Sequence, residues 1–275
     1  MDTRYWGPSG WRLLHLISFK AEELRRDKLH IFFKNLPYVL PCKFCRASLT
    51  DYYLTDPIPA IVDEFPYWLY RIHNRVNAKL RDQKLLETSD PKWSDVKKRY
   101  TEMINSDCIR DNIIGWDFLF SVAFTTPCPS VKSAPMPDAP PIEVLFTPLL
   151  RNRWGVITRD ERLIFIKEWW DTLPYVLPFK EWRKAWRTNV PEVPSLLKGR
   201  KAITSWLYAA ENALCVKKEI IHESFTGLCS ELKTFSSGCG KRSKRIKTCR
   251  AIKSHAKKTL KTRRVEKYKA TGGFL

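Results

Sequence analysis

Residues 36–49 read LPYVLPCKFCRASL, and residues 173–186 read LPYVLPFKEWRKAW: six residues unchanged, then a divergence that discards both cysteines. A second echo pairs WLYRIHNRVNAKL at 68–80 with WLYAAENALCVKK at 206–218, at an offset of 138 against 137 for the first. Two matches at nearly one spacing imply that the chain holds two related units, the later a divergent copy of the earlier. Whatever architecture one copy adopts, the other must accommodate.

Both copies read as helical. Between residues 9 and 26 the apolar side chains are Trp11, Leu14, Leu16 and Ile17. Between 61 and 85, Trp68, Leu69, Ile72, Val76 and Leu80 recur at three- and four-residue steps, which marks one helix face. Strand-like alternation is scarce, so the fold class is all-α. The stretch TTPCPSVKSAPMPDAPP at 125–141 contains six prolines. Proline removes backbone donors and fixes φ, so this stretch reads as a linker. Helical pattern resumes near Asp160 and runs to about Ser230, and Gly and Ser at 236–240 open a tail. The expected layout is a first unit at 1–108, a connecting segment with the linker at 109–142, a second helical unit at 143–235 and a basic, partly helical tail at 236–275.

The net charge of +20 is concentrated in that tail, where Lys241–Lys269 holds fourteen Lys or Arg against one acid, Glu266. It reads either as a solvated tail or as an arm that grips nucleic acid or another polyanion through phosphates. No aromatic ladder or reader motif accompanies it, so sequence-specific recognition is not implied. Hydrophobic content of 44% argues against disorder over most of the chain. No run of eighteen or more apolar residues occurs, so no membrane span is expected. The opening stretch lacks a basic leader, and His15 and Lys20 break its apolar run. No signal peptide is therefore expected, and a soluble product made in the cytosol is.

Of eight cysteines, Cys42 and Cys45 form the one CxxC. The others are Cys108, Cys128, Cys215, Cys229, Cys239 and Cys249. A thioredoxin-like site needs a βαβ setting, a zinc site a second close ligand pair, and haem attachment a His where Arg46 stands. A redox-active dithiol remains. Pro41 before Cys42 suits a helix start, where free N–H groups and the dipole stabilise a thiolate, and Lys43 and Arg46 push the same way. CKFC alone does not decide between that dithiol and two unreactive thiols.

Three stretches together do more: WGPSGWRLLH at 6–15, LPCKFCRASL at 40–49 and HNRVNAKL at 73–80. In this order and spacing, residues 4–100 resemble the Erv/ALR family of FAD-linked sulfhydryl oxidases, and the last stretch fits the family's HNxVNxKL pattern at each fixed position. The resemblance implies a four-helix bundle with a short fifth helix, holding FAD beside the CxxC. It places Trp11 and His15 against the flavin nucleotide and His73, Asn74 and Asn77 at its adenine and ribose-phosphate portion. Val76 and Leu80 would line the wall, Lys79 would neutralise phosphate charge, Gly7 would mark a close backbone approach, and Trp93 would be the family's late tryptophan near the adenine. It also implies that substrate thiols reduce the Cys42–Cys45 disulfide through Cys42, that Cys45 faces the isoalloxazine, and that reduced FAD passes electrons to oxygen to give hydrogen peroxide. Many members carry a shuttle disulfide; the candidate here is Cys239–Cys249, with Cys108 and Cys128 second.

In the later copy Phe179 and Trp182 replace the dithiol. Glu211 and Asn212 stand where His73 and Asn74 stood, Leu214 and Cys215 where Val76 and Asn77 stood, and no WGPSGW equivalent occurs near 143–152. A catalytically dead, pseudo-Erv bundle is expected there, with one FAD per chain. It would serve as partner, platform or scaffold, in an intrachain pseudo-dimer or within a homodimer. Protein thiols and oxygen are the implied partners. Of the family's branches, the appended copy favours the large-DNA-virus type, acting in infected-cell cytoplasm or the virion. The competing reading is a nucleic-acid-binding structural protein that works through its basic tail.

Overall fold

The computed structural model describes residues 1–128, 134–214, 222 and 224–236, and among them there are helices and loops but no strand. The first unit comprises α1 (Thr3–Phe19), α2 (Arg26–Val39), α3 (Lys43–Thr55), α4 (Phe65–Asp82) and α5 (Trp93–Asn105). After it come α6 (Trp116–Phe124), α7 (Pro148–Trp154), α8 (Arg159–Val176), α9 (Lys180–Asn189), α10 (Arg200–Leu214) and α11 (Phe225–Ser236). In the first unit α1 packs on α4 and α5, and α3 on α2 and α4. In the second, α9 packs on α8 and α10, and α6 on α10 and α11. No described helix is long and apolar enough to cross a membrane.

The repeated LPYVLP hexapeptide produces the same local geometry twice. Each copy carries its first proline inside the last turn of a helix, Pro37 in α2 and Pro174 in α8. Each ends that helix at the leucine before its second proline, because a residue preceding proline is driven out of the helical region. Leu40 has φ −50° and ψ 133°, Leu177 φ −53° and ψ 135°. The next helix then starts after Cys42 in one copy and after Phe179 in the other, both extended N-cap residues. Pro37 offers no N–H to the carbonyl four residues back, and the Tyr53 hydroxyl donates to that Phe33 oxygen instead, at 3.1 Å.

The most extensive helix pairing joins the two copies, α2 against α8. Phe32 stacks on Trp169, the residue 137 positions later, at 5.1 Å between centroids. Tyr38 stacks on Phe165 at 3.9 Å, while its counterpart Tyr175 lies under Lys28 and Arg25 at 5.6 and 5.9 Å. Residues at the same offset thus meet reciprocally, as the two sides of a two-fold interface do.

The segment 109–142, expected only to connect, contains α6, and every residue of that helix is buried. It packs on α10 as α1 packs on α4, and also on α1 itself. A helix covered on all sides has no polar face, so WDFLFSVAF carries no amphipathic period by which to recognise it. Gly115 starts α6 at φ +99°, where a Cβ would come within 2.7 Å of the Leu13 side chain. The proline-rich stretch does lack a helix in its described part, and is tied down where Met136 N–H donates to Trp154 O at 2.8 Å.

Candidate active site

The site is assembled by α1, α3 and α4, with α5 closing one side. Cys42 is the N-cap residue of α3 and Cys45 lies in its first turn. Both sulfurs therefore sit at a helix N-terminus, where unpaired N–H groups and the dipole favour negative charge. Cys42 is 1% exposed and Cys45 half-buried, so the sulfur that the resemblance implies for client exchange is the more enclosed of the two. Arg46, buried one turn on, bends back to donate from Nη1 to Leu40 O at 3.0 Å.

Helix α4 meets α3 beside the second sulfur. The Tyr52 hydroxyl donates to Arg75 O at 3.2 Å, the Arg75 guanidinium lies 4.6 Å above the Tyr52 ring, and the Lys79 ammonium donates to Ser48 Oγ. Burial is the main cause that raises the Tyr52 phenol pKa, and the charge of nearby Cys45 adds to it.

Farther along the same face is a wall of flat rings. The Trp11 indole stacks on His73 at 3.8 Å and 9° between planes. His73 Nδ1 and His15 Nε2 are 3.0 Å apart, so one imidazole donates to the other. Tyr100 of α5 stacks on His15 at 4.8 Å. Burial drives the His15 pKa down to about 3 and the His73 pKa well below its ordinary value, the latter with help from His15. Both are neutral at physiological pH. Asn77 Nδ2 donates to Asp90 Oδ1 at 2.9 Å, and Arg81 grips both Asp90 oxygens. The Arg81 hydrogen bond is the chief reason the Asp90 pKa is lowered.

Two buried amide oxygens on this face, Asn74 Oδ1 and Asn77 Oδ1, have no hydrogen-bond partner among the described residues. Leaving such an acceptor unmet costs about 1–3 kcal/mol. A ligand that combines planar rings with N–H and O–H donors, as FAD does with its adenine and ribose, matches the ring wall and these acceptors.

Of the residues singled out from sequence, Trp11, His15 and His73 come together, Asn77 lies one turn along α4 from His73, and Asn74, Val76 and Leu80 are half-buried on the same helix. Lys79 sits against the CxxC helix. Trp93 lies among Phe19, Tyr67 and Tyr70, at 5.8, 5.2 and 5.3 Å, and is linked to His15 through Phe19 and Tyr100. A Cβ on Gly7 would meet nothing within 4 Å, whereas one on Gly10 would come within 3.1 Å of Phe118. Among the described residues this glycine-containing stretch makes its close approach to protein at Gly10, where α1 meets α6. Cys108 is exposed and Cys128 half-buried. Cys215, Cys239 and Cys249 lie outside the described residues, as does the basic tail. Sequence reasoning passed over Tyr100, which follows Trp93 and Val96 at helical spacing, and Asp90, for which no sequence signal exists.

The corresponding places in the second unit are filled by side chains. Phe179 and Trp182 are each 3% exposed and pack edge to face at 4.8 Å. Glu211, fully buried, pairs with His222 Nδ1 at 2.8 Å. Arg183 Nη1 donates to Leu177 O at 2.7 Å, repeating the bond from Arg46 to Leu40.

Residues 8–101 match the Erv1 / Alr family. The chain is also similar to the mitochondrial FAD-linked sulfhydryl oxidase ERV1 of Saccharomyces cerevisiae, at 27% identity over 101 residues, covering 34% of this chain. The alignment spans about half of that protein, 53% of its length. No solved structure matches the chain significantly. The family match falls on the segment that bears the CxxC and the ring wall.

Proposed function

We propose that the chain is an FAD-dependent thiol oxidase that forms disulfide bonds in protein substrates, with Cys42 and Cys45 as its redox pair. The observation that carries this reading is the meeting of α3 and α4. The CxxC helix lies against the HNRVNAKL stretch through Ser48, Tyr52, Arg75 and Lys79, and two buried amide oxygens of that stretch await donors.

Trp11, His15 and His73 would hold the flavin's planar parts, while Asn74 and Asn77 would accept from its adenine or ribose. When bound, FAD supplies the two-electron acceptor from which electrons reach oxygen. A client thiolate attacks Cys42 Sγ of the disulfide, and Cys45 leaves as a thiolate that the α3 N-terminus stabilises. A second client thiolate then attacks the client sulfur of the mixed disulfide, Cys42 leaves, and the client disulfide is complete. Because Cys42 is 1% exposed, its surroundings must open for the first attack.

The second unit is read as a degenerate copy that partners the first within one chain. Supporting this are the offset of 137 shared by its contacts, the repeated arginine–carbonyl bond, and the side chains that fill the places of dithiol and histidine. A purely nucleic-acid-binding role is the competing reading, favoured by the fourteen cationic residues of Lys241–Lys269.

The test is direct. Purified protein should show visible flavin absorbance equivalent to one FAD per chain and consume oxygen when given a dithiol. Cys42→Ser or Cys45→Ser should abolish that uptake and leave the protein yellow. Colourless protein that takes up no FAD, or an active double variant, would overturn the reading.

A further inference from the structure

We propose that Arg162, which lies outside the segment matched to the family, is a positioning residue for the Cys42–Cys45 pair, holding the turn that leads to Cys42 and favouring the thiolate there. This rests on the redox assignment of that pair given above.

The backbone enters the CxxC from the end of α2, where the last carbonyls have no helical N–H to meet. Three side chains take them. Asn152 Nδ2 donates to Pro37 O at 3.0 Å, Arg162 Nε to Tyr38 O at 2.8 Å, and Arg46 Nη1 to Leu40 O at 3.0 Å. The first two come from α7 and α8, beyond the proline-rich linker. A further strut joins α7 to α3, where Arg153 Nε pairs with Asp51 Oδ1 at 3.0 Å.

The pseudo-symmetry of the two units supplies an internal comparison. Arg25, which lies 137 positions before Arg162, is exposed, hydrogen-bonded to Asp27, and lies over the Tyr175 ring. At the place of Asp27 in the second copy stands Ile164, 66% exposed. The adjacent acid, Glu161, is engaged by Arg151, and among the described residues no carboxylate pairs with Arg162. Burial and repulsion from Arg46 both oppose its charge, yet a guanidinium keeps its proton. A half-buried cation with no carboxylate partner among the described residues therefore lies against Tyr38 O, in the turn that leads to Cys42. Where Phe179 replaces that cysteine, the equivalent arginine sits in water next to its own acid. The charge has been left uncompensated on the side where a thiolate can form, and a nearby cation in a low-dielectric setting favours the thiolate.

Other charges bear on the pair. Helix α3 adds Lys43 and Arg46, and Tyr52 near Cys45. Helix α4 adds Arg75 above Tyr52 and Lys79 on Ser48. From α2 comes Tyr38, a phenol whose pKa burial pushes up to about 12 and which is neutral in the working range. None of these distinguishes Arg162 from a bland helix cap; the titration of the thiols does.

The full-length protein, reduced with a dithiol and desalted under nitrogen, is alkylated with iodoacetamide across a pH series, and Cys42 and Cys45 are followed by peptide mass spectrometry. Wild type should give a midpoint for the more reactive sulfur below the ordinary cysteine value of about 8.5. Arg162→Gln, which keeps an N–H for Tyr38 O, should raise it by about half a unit or more. Arg162→Lys, which keeps the charge, should restore the wild-type midpoint, and Arg25→Gln should leave it unchanged. An unmoved midpoint in Arg162→Gln overturns the inference, as does an equal shift in Arg25→Gln. If the Arg162 variants do not fold, wild type still decides, because a midpoint at or above the ordinary value is incompatible with the role given to this cation. The readout needs no flavin turnover, so failure of the oxidase reading would show separately, as absent oxygen uptake in wild type.

Discussion

Replacing His15 by Asn should make the protein less sensitive to mild acid, and the size of the effect follows from burial. His15 and His73 are each 0% exposed and share a hydrogen bond of 3.0 Å. Burial lowers the His15 pKa from 6.5 to about 3 and moves His73 the same way. Between those values the unfolded chain takes up a proton at His15 and the folded chain does not, and His73 acts in the same direction. Stability therefore falls as pH drops below 6.5, by about 1.4 kcal/mol per pH unit per histidine. From pH 6.5 down to about 5 His15 accounts for about 2 kcal/mol of a total that is typically 5–15 kcal/mol, and His73 shifts stability the same way. Asn at position 15 can keep a hydrogen bond to His73 while removing the His15 titration, so the variant should lose about 2 kcal/mol less than wild type over this interval. Urea unfolding followed by circular dichroism at successive pH values measures the difference directly, because contributions common to both proteins cancel. Asp90, a carboxylate with a lowered pKa, does not intervene, since its contribution is lost only at more acidic pH. Parallel stability curves for the two proteins would refute the account of two buried neutral imidazoles.

Two further outcomes are expected. Trp169→Ala removes a fully buried indole stacked on Phe32 at the junction of the two copies, and should cost about 3–5 kcal/mol in equilibrium unfolding; a loss under about 1 kcal/mol would contradict that packing. Truncation after Phe235, which deletes Cys239, Cys249 and the cationic run, should slow oxidation of protein thiols more than oxidation of dithiothreitol. Equal slowing of both would count against a shuttle in the tail.

Much of the site was legible in the letters because the chemistry depends on local spacing. Pro41 before Cys42 sets a helix start, and the four-residue steps between Trp11 and His15, and between His73 and Asn77, place each pair on one helix face. Less legible was anything set by what covers a helix. The buried α6 lacks an amphipathic signature, Asp90 reaches Asn77 from a loop, and Lys79 is directed to α3 by an orientation of helices that no spacing encodes.

The sequence by itself determined that the chain is helical, that LPYVLP occurs twice, and that one copy has a dithiol where the other has Phe179 and Trp182. It did so because helix periodicity and proline's effect on its neighbours act within a few residues. Only the tertiary structure decided that Cys42 is enclosed, that His15 and His73 share one hydrogen bond, and that Arg162 supports a turn 124 residues earlier in the chain. Burial and long-range pairing depend on which surfaces meet, and that is fixed by packing over the whole molecule.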